Sequence, residues 1–187
     1  MVKKIKTCVF ISGSGTNLRC LIKNSRDYNS PIKINLIISN NKNANGLKFA
    51  RKYNIPYKIF VNKSRIIFEK NCLLELKERK IKFICLAGFM KVLSKNFIAN
   101  FKYKIFNMHP SLLPKFKGLN THTRVLNSGE KFTGCTVHLV TSKLDSGKII
   151  LQKKISVHSN DTVKTLRERV LKQEHKLYTK AIRYAFG

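Results

Sequence analysis

Tryptophan is absent from the 187-residue chain, and acidic residues are scarce: nine Asp and Glu stand against 38 Lys and Arg. Chemistry that needs an aspartate has three candidates, Asp27, Asp145 and Asp161. The five cysteines, Cys8, Cys20, Cys72, Cys85 and Cys135, include no Cys-x-x-Cys pair. That argues against a disulfide framework or a zinc site and for reduced, buried thiols. No apolar run approaches the roughly 18 residues that span a bilayer. The apolar stretch at 7–12, behind the basic start at 1–6, is too short for a signal-peptide core. A cytoplasmic protein with no membrane partner is expected. Repeats, low-complexity tracts and linkers are also missing, so one domain with a real core is expected.

The formal net charge of +29 raises nucleic acid as a partner. The pattern weakens that reading. Lysine dominates arginine, no three basic residues are consecutive, and the charges run through every segment instead of forming one arm with interleaved aromatics. Abundant asparagine and isoleucine with little alanine read as an AT-rich codon bias. Most lysines are read as solvated surface whose field attracts polyanionic substrates in a salt-dependent way, and no specific nucleic acid is expected.

What is present alternates. Apolar segments at 6–11, 32–38, 57–61, 83–87 and 105–108 read as strands, with helical patterns at 16–23, 45–53 and 66–80 between them. Such alternation predicts an α/β fold: an open, mostly parallel twisted sheet with helices on both faces, Rossmann-like in type. Residues 110–119 read as a loop, 135–140 and 149–157 as strands, and Asp145-Ser146-Gly147 as the turn between them. The last helix is expected at 161–184 with Asp161 as N-cap.

Ser12-Gly13-Ser14-Gly15-Thr16-Asn17 lies between a strand and a helix. Glycines let the backbone approach a ligand, and the helix start offers free N–H groups to a phosphate. A dinucleotide site is disfavoured. The third glycine of Gly-x-Gly-x-x-Gly would fall at Leu18, and no acidic residue follows the second strand to hold a ribose diol.

Asn107 and His109 stand two apart at the carboxyl end of a strand, so both face one side. Open α/β sheets bind ligands at that edge. An amide donor and an imidazole there can serve one pocket. Asp145 is the candidate carboxylate, since Asp27 reads as surface and Asp161 as a cap. His122 and His138 are read as structural, and His158 and His175 as surface or packing residues.

Four blocks carry a resemblance: residues 12–17, Leu86-Ala87-Gly88-Phe89-Met90, Asn107-Met108-His109-Pro110-Ser111-Leu112-Leu113-Pro114, and Leu144-Asp145-Ser146-Gly147. With Gly118-Leu119-Asn120-Thr121-His122 and Gln173-Glu174-His175, they make the chain similar to the folate-dependent glycinamide ribonucleotide formyltransferases from end to end. The resemblance implies transfer of a formyl group from 10-formyltetrahydrofolate to glycinamide ribonucleotide in purine synthesis, without a metal. It implies Asn107, His109 and Asp145 as the catalytic trio. Gly15, Thr16 and Asn17 would hold the substrate phosphate, and Leu171, Lys172, Gln173 and Glu174 the ribose and glycinamide portion. Arg65, Met90, Lys91, Val92, Leu93 and Asn107, with Thr141, Ser142, Lys143 and Leu144, would form the folate site. A single domain over 1–187 is then expected, with a phosphate-binding half at about 1–100 and a folate-binding, catalytic half at about 101–187. A monomer or weak homodimer is expected.

Asn107 and protonated His109 are expected to stabilise the oxyanion, with ionised Asp145 raising the His109 pKa. Two departures stand out: Phe116-Lys117-Gly118 replaces a frequent Tyr-Pro-Gly, and the chain ends soon after the last helix. Rival enzymes are methionyl-tRNA formyltransferase and formyltetrahydrofolate hydrolase; each carries a further domain that this length does not accommodate. A basic nucleic-acid-binding protein is the non-enzyme alternative.

Overall fold

The computed structural model describes residues 4–61 and 64–187; part of the basic start, residues 1–3, lies outside them. Five strands, β1 (Ile5–Ile11), β2 (Ile32–Ser39), β3 (Tyr57–Ile59), β4 (Phe83–Leu86) and β5 (Ile105–His109), run parallel. The next two, β6 (Phe132–Leu139) and β7 (Ile149–Ser156), pair antiparallel. The order across the sheet is β3-β2-β1-β4-β5-β6-β7. The expected fold class is thus found, with an antiparallel hairpin added at one side.

Alternation along each strand feeds two cores. In β1, Val9 and Ile11 point to the face covered by α1 (Thr16–Ser25), α2 (Leu47–Lys52), α5 (Thr121–Asn127) and α6 (Val163–Phe186). Cys8 and Phe10 point to the other face, under α3 (Arg65–Glu78) and α4 (Lys95–Phe101). Cysteines 8, 72, 85 and 135 are buried free thiols, while Cys20 is partly exposed. Burial pushes the Cys8, Cys72 and Cys85 thiols far up, so they are inert core residues.

Two sequence expectations are corrected. The cap of α6 is Thr162: its hydroxyl accepts from the Thr165 N–H at 3.2 Å, and the Thr165 hydroxyl accepts from the Thr162 N–H at 2.9 Å. This reciprocal box needs a polar residue three positions on, and Asp161 instead pairs with Arg169 and the His158 N–H. Strand β6 also starts three residues before the expected 135, because Phe132–Gly134 pair with β7. Helix α4 was not anticipated; Ser94 caps it by accepting from the Phe97 N–H at 3.0 Å, and Phe97 and Phe101 pack into the core.

Helix α6 ties the sheet together. Leu166, Val170, Leu177 and Ile182 are buried along one face, each contributing roughly 1.5–3 kcal/mol by leaving water. The Tyr178 hydroxyl, fully buried, lies 3.0 Å from both the Leu86 and Phe106 carbonyls. It therefore pins the carboxyl end of β4 to β5 one residue before Asn107. The winding of the chain reverses between β1 and β4, the place where open α/β sheets form a ligand crevice. Ser12 closes that crevice. Its N–H donates to the Gly88 carbonyl at 3.2 Å, and its hydroxyl joins Asn40 Oδ1 at 2.6 Å and the Met90 N–H at 2.8 Å.

Candidate active site

Asn107 and His109 share one face of β5, and antiparallel pairing sets His138 of β6 opposite Asn107. The 140–148 loop folds back over this face and delivers Asp145. Its Oδ1 lies 3.5 Å from both Asn107 Nδ2 and His138 Nε2, and its Oδ2 lies 3.4 Å from His109 Nδ1. The Gly118 N–H donates to Oδ2 at 2.9 Å. The trio expected from sequence is therefore one cluster. His138, expected as a structural residue, lies against it as well. Nothing local in the sequence marks His138; only the β5–β6 register does.

The partners fix the protons. A carbonyl only accepts, so His138 Nδ1, 2.8 Å from the Leu139 carbonyl, carries hydrogen. Its Nε2 then accepts from Asn107 Nδ2 at 3.2 Å. Likewise His109 Nε2 donates to the Phe116 carbonyl at 2.8 Å. In neutral His109, Nδ1 is bare and faces a carboxylate oxygen. A proton arriving there finds its acceptor in place.

For Asp145, burial pushes the pKa up, but the Gly118 N–H and the positive charge that His138 and His109 carry when protonated hold it below the usual carboxylate range. For His109, burial dominates and lowers the pKa, although the Phe116 bond and Asp145 act upward. Asp145 thus acts in the expected direction, but burial outweighs it.

The first loop and the last helix meet. Gly15 caps α1 with φ of 70°, and a Cβ there would lie 2.4 Å from Gly46 Cα, so only glycine suits the turn. Asn17 Nδ2 donates to Glu174 Oε2 at 2.6 Å, with Asn17 Oδ1 buried and unpartnered among the described residues. Burial raises the Glu174 pKa against the Asn17 bond and Arg167. Of the residues expected beside Glu174, helix geometry turns Lys172 to solvent, while Leu171 and Gln173 are half-buried.

The expected folate residues surround the same edge unevenly. Met90 and Val92 are exposed on the loop after β4, and Leu144 is exposed beside Asp145. Lys91 lies over the Phe68 ring at 5.2 Å. Arg65 begins α3, exposed, one turn before Phe68. Thr141, Ser142 and Lys143 are exposed on the loop that carries Asp145. Leu93 is different: its side chain is buried and packs into the core beneath α3 and α4. Among the described residues no group of His, Cys, Asp and Glu is spaced to hold a metal ion. No helix among them is long and apolar enough to cross a membrane.

A carboxylate at the sheet edge, facing an amide and two imidazoles, defines a group-transfer site. The formyl transferase family pattern matches residues 5–182, so the chain belongs to the formyl transferase family. It is 44% identical over 183 residues to the human trifunctional purine biosynthetic protein adenosine-3, covering 96% of this chain but only 18% of that much longer protein. It is 37% identical to the phosphoribosylglycinamide formyltransferase of Haemophilus influenzae, covering 96% of this chain and 86% of the relative. The solved phosphoribosylglycinamide formyltransferase from Brucella melitensis superposes with a TM-score of 0.91 at 42% identity, over 97% of this chain and 95% of that one.

Proposed function

We propose that this chain transfers the formyl group of 10-formyltetrahydrofolate to the amino group of glycinamide ribonucleotide. The observation that carries the reading is the grip of Asn107, His109, His138 and the Gly118 N–H on Asp145 at the carboxyl edge of the sheet. The names of the relatives supply the acceptor and the purine-synthesis setting.

The bound formyl-folate supplies an activated formyl carbon to the substrate amine. The chain's residues then handle one negative charge and one proton. Asn107 Nδ2 keeps one hydrogen on His138 and aims the other, whose carboxylate partner is distant at 3.5 Å, at the oxygen where charge develops. One such donor is worth about 3–4 kcal/mol. His109 takes the amine proton at Nδ1, directly or through water, and Asp145 stabilises the imidazolium. That cation adds to the stabilisation of the oxygen and returns its proton to the leaving nitrogen.

Gly15, Thr16 and Asn17 hold the phosphate at the start of α1, and Glu174, flanked by Leu171 and Gln173, binds the ribose and glycinamide portion. Exposed Met90, Val92 and Leu144 suit the flat face of an aromatic ring such as the folate pterin, with Arg65, Lys91 and the 141–143 loop around it. No metal takes part in this scheme. A formylation assay offering glycinamide ribonucleotide, tRNA or neither acceptor tests the proposal. Transfer to the ribonucleotide alone is expected; transfer to tRNA alone, or folate hydrolysis without an acceptor, overturns it.

A further inference from the structure

The His109 ring is held from the side opposite Asp145 by a turn, and that turn is strapped to the β6–β7 hairpin. His109 Nε2 donates to the Phe116 carbonyl at 2.8 Å. Ser111, fully buried, donates its hydroxyl to the Lys115 carbonyl at 2.7 Å and lies 3.4 Å from the same Phe116 carbonyl. Thr136 of β6 donates to the Ser111 carbonyl at 2.6 Å and accepts from the Leu113 N–H at 3.1 Å. Gln152 reaches in from the edge strand β7. Its Nε2 donates to the Leu113 carbonyl at 2.8 Å and to the Thr136 hydroxyl at 2.9 Å. Both of its amide hydrogens and every hydrogen-bonding position of the Thr136 hydroxyl are thereby used. Gly134 makes room for this strap: a Cβ there would lie 2.0 Å from the Lys153 carbonyl oxygen and 2.8 Å from Leu112 Cδ2.

We infer that Gln152 is a positioning residue for His109, acting through Thr136 and the 111–116 turn to set the acceptor that holds the imidazole in register with Asp145. Sequence position gives no hint of this. Gln152 sits on the outermost strand, away from every motif, and touches neither His109 nor Asp145 in the hydrogen-bond network. Yet its two bonds fix the turn that determines where the Phe116 carbonyl lies. Gln152 is itself exposed on the hairpin's surface, so its side chain serves the turn rather than a core.

The inference rests on the proposed role of His109 for its kinetic consequence but not for its structural one. The test uses Gln152→Met, which keeps the length of the side chain and removes both donors, alongside Thr136→Val and His109→Ala. Turnover of glycinamide ribonucleotide and the ¹⁵N resonances of the His109 ring are measured for the whole chain. Gln152→Met is expected to lower kcat about tenfold with less than about a twofold change in KM, as for a catalytic group displaced by a fraction of an ångström. The His109 Nε2 resonance is expected to move with it, and Thr136→Val is expected to move it the same way.

Unchanged His109 resonances in Gln152→Met overturn the inference, whatever turnover does. So does wild-type kcat in that variant while His109→Ala is inactive. If His109→Ala keeps full turnover, the proposed role of His109 fails instead, and the shifted resonances still establish the strap.

Discussion

Asp145 makes four polar contacts with one carboxylate, and each of its oxygens serves one imidazole. Replacing it by asparagine keeps the shape but removes the charge that stabilises a proton on His109. Asp145→Asn is expected to lower kcat about a hundredfold or more while changing substrate binding little; steady-state kinetics with both substrates varied check this, and near-normal kcat rejects the role. His122 gives a second residue-scale expectation. Its Nδ1 is buried without a partner among the described residues, and burial first, then the charge of Arg167, pushes its pKa down to about 4. The unfolded chain binds this proton near pH 6.5 and the folded one only near 4, so the unfolded state gains protons between those values. Stability from this group is full above about pH 6.5 and is lost as pH falls toward 4. Melting temperature should fall across that window, and His122→Gln should flatten the fall.

The elements that position the site are few, and their joints invite tests. Tyr178 holds the ends of β4 and β5 through one hydroxyl. Tyr178→Phe removes that bond without a cavity and is expected to cost about 1–2 kcal/mol in urea unfolding. Gly15 joins β1 to α1 in a left-handed turn against Gly46. Gly15→Ala is expected to raise KM for the phosphorylated substrate at least about tenfold, read by initial rates, because the loop must move off Gly46. Much of this frame was legible in the sequence. Central strands buried on both faces appear as unbroken apolar runs, and the 107–109 spacing announces a shared face. Other parts were hidden for physical reasons. Helix α4 is only seven residues long, with two phenylalanines as its periodic signal. Asp161 and Thr162 are both good caps, and only the position of Thr165 decides between them. His138 and Gln152 depend on the register of an antiparallel hairpin, which no local pattern encodes.

At the scale of the molecule, the chain carries 38 basic residues against nine acidic ones, and its first loop is read as binding a phosphate. Such a field acts beyond contact distance but within about 10 Å at 0.1 M salt. Raising ionic strength should therefore raise KM for glycinamide ribonucleotide while leaving kcat in place, measurable by kinetics across a potassium chloride series. The long bond from Asn17 to Glu174 has another kind of consequence. It spans 157 positions of sequence, so the loop after β1 waits for α6 before its amide has this acceptor. A chain that has built β1 through β7 already owns Asn107, His109, His138 and Asp145, but its Asn17 amide still lacks Glu174. The wall between the first loop and α6 is therefore closed only when α6 docks, separately from the assembly of the β5 cluster.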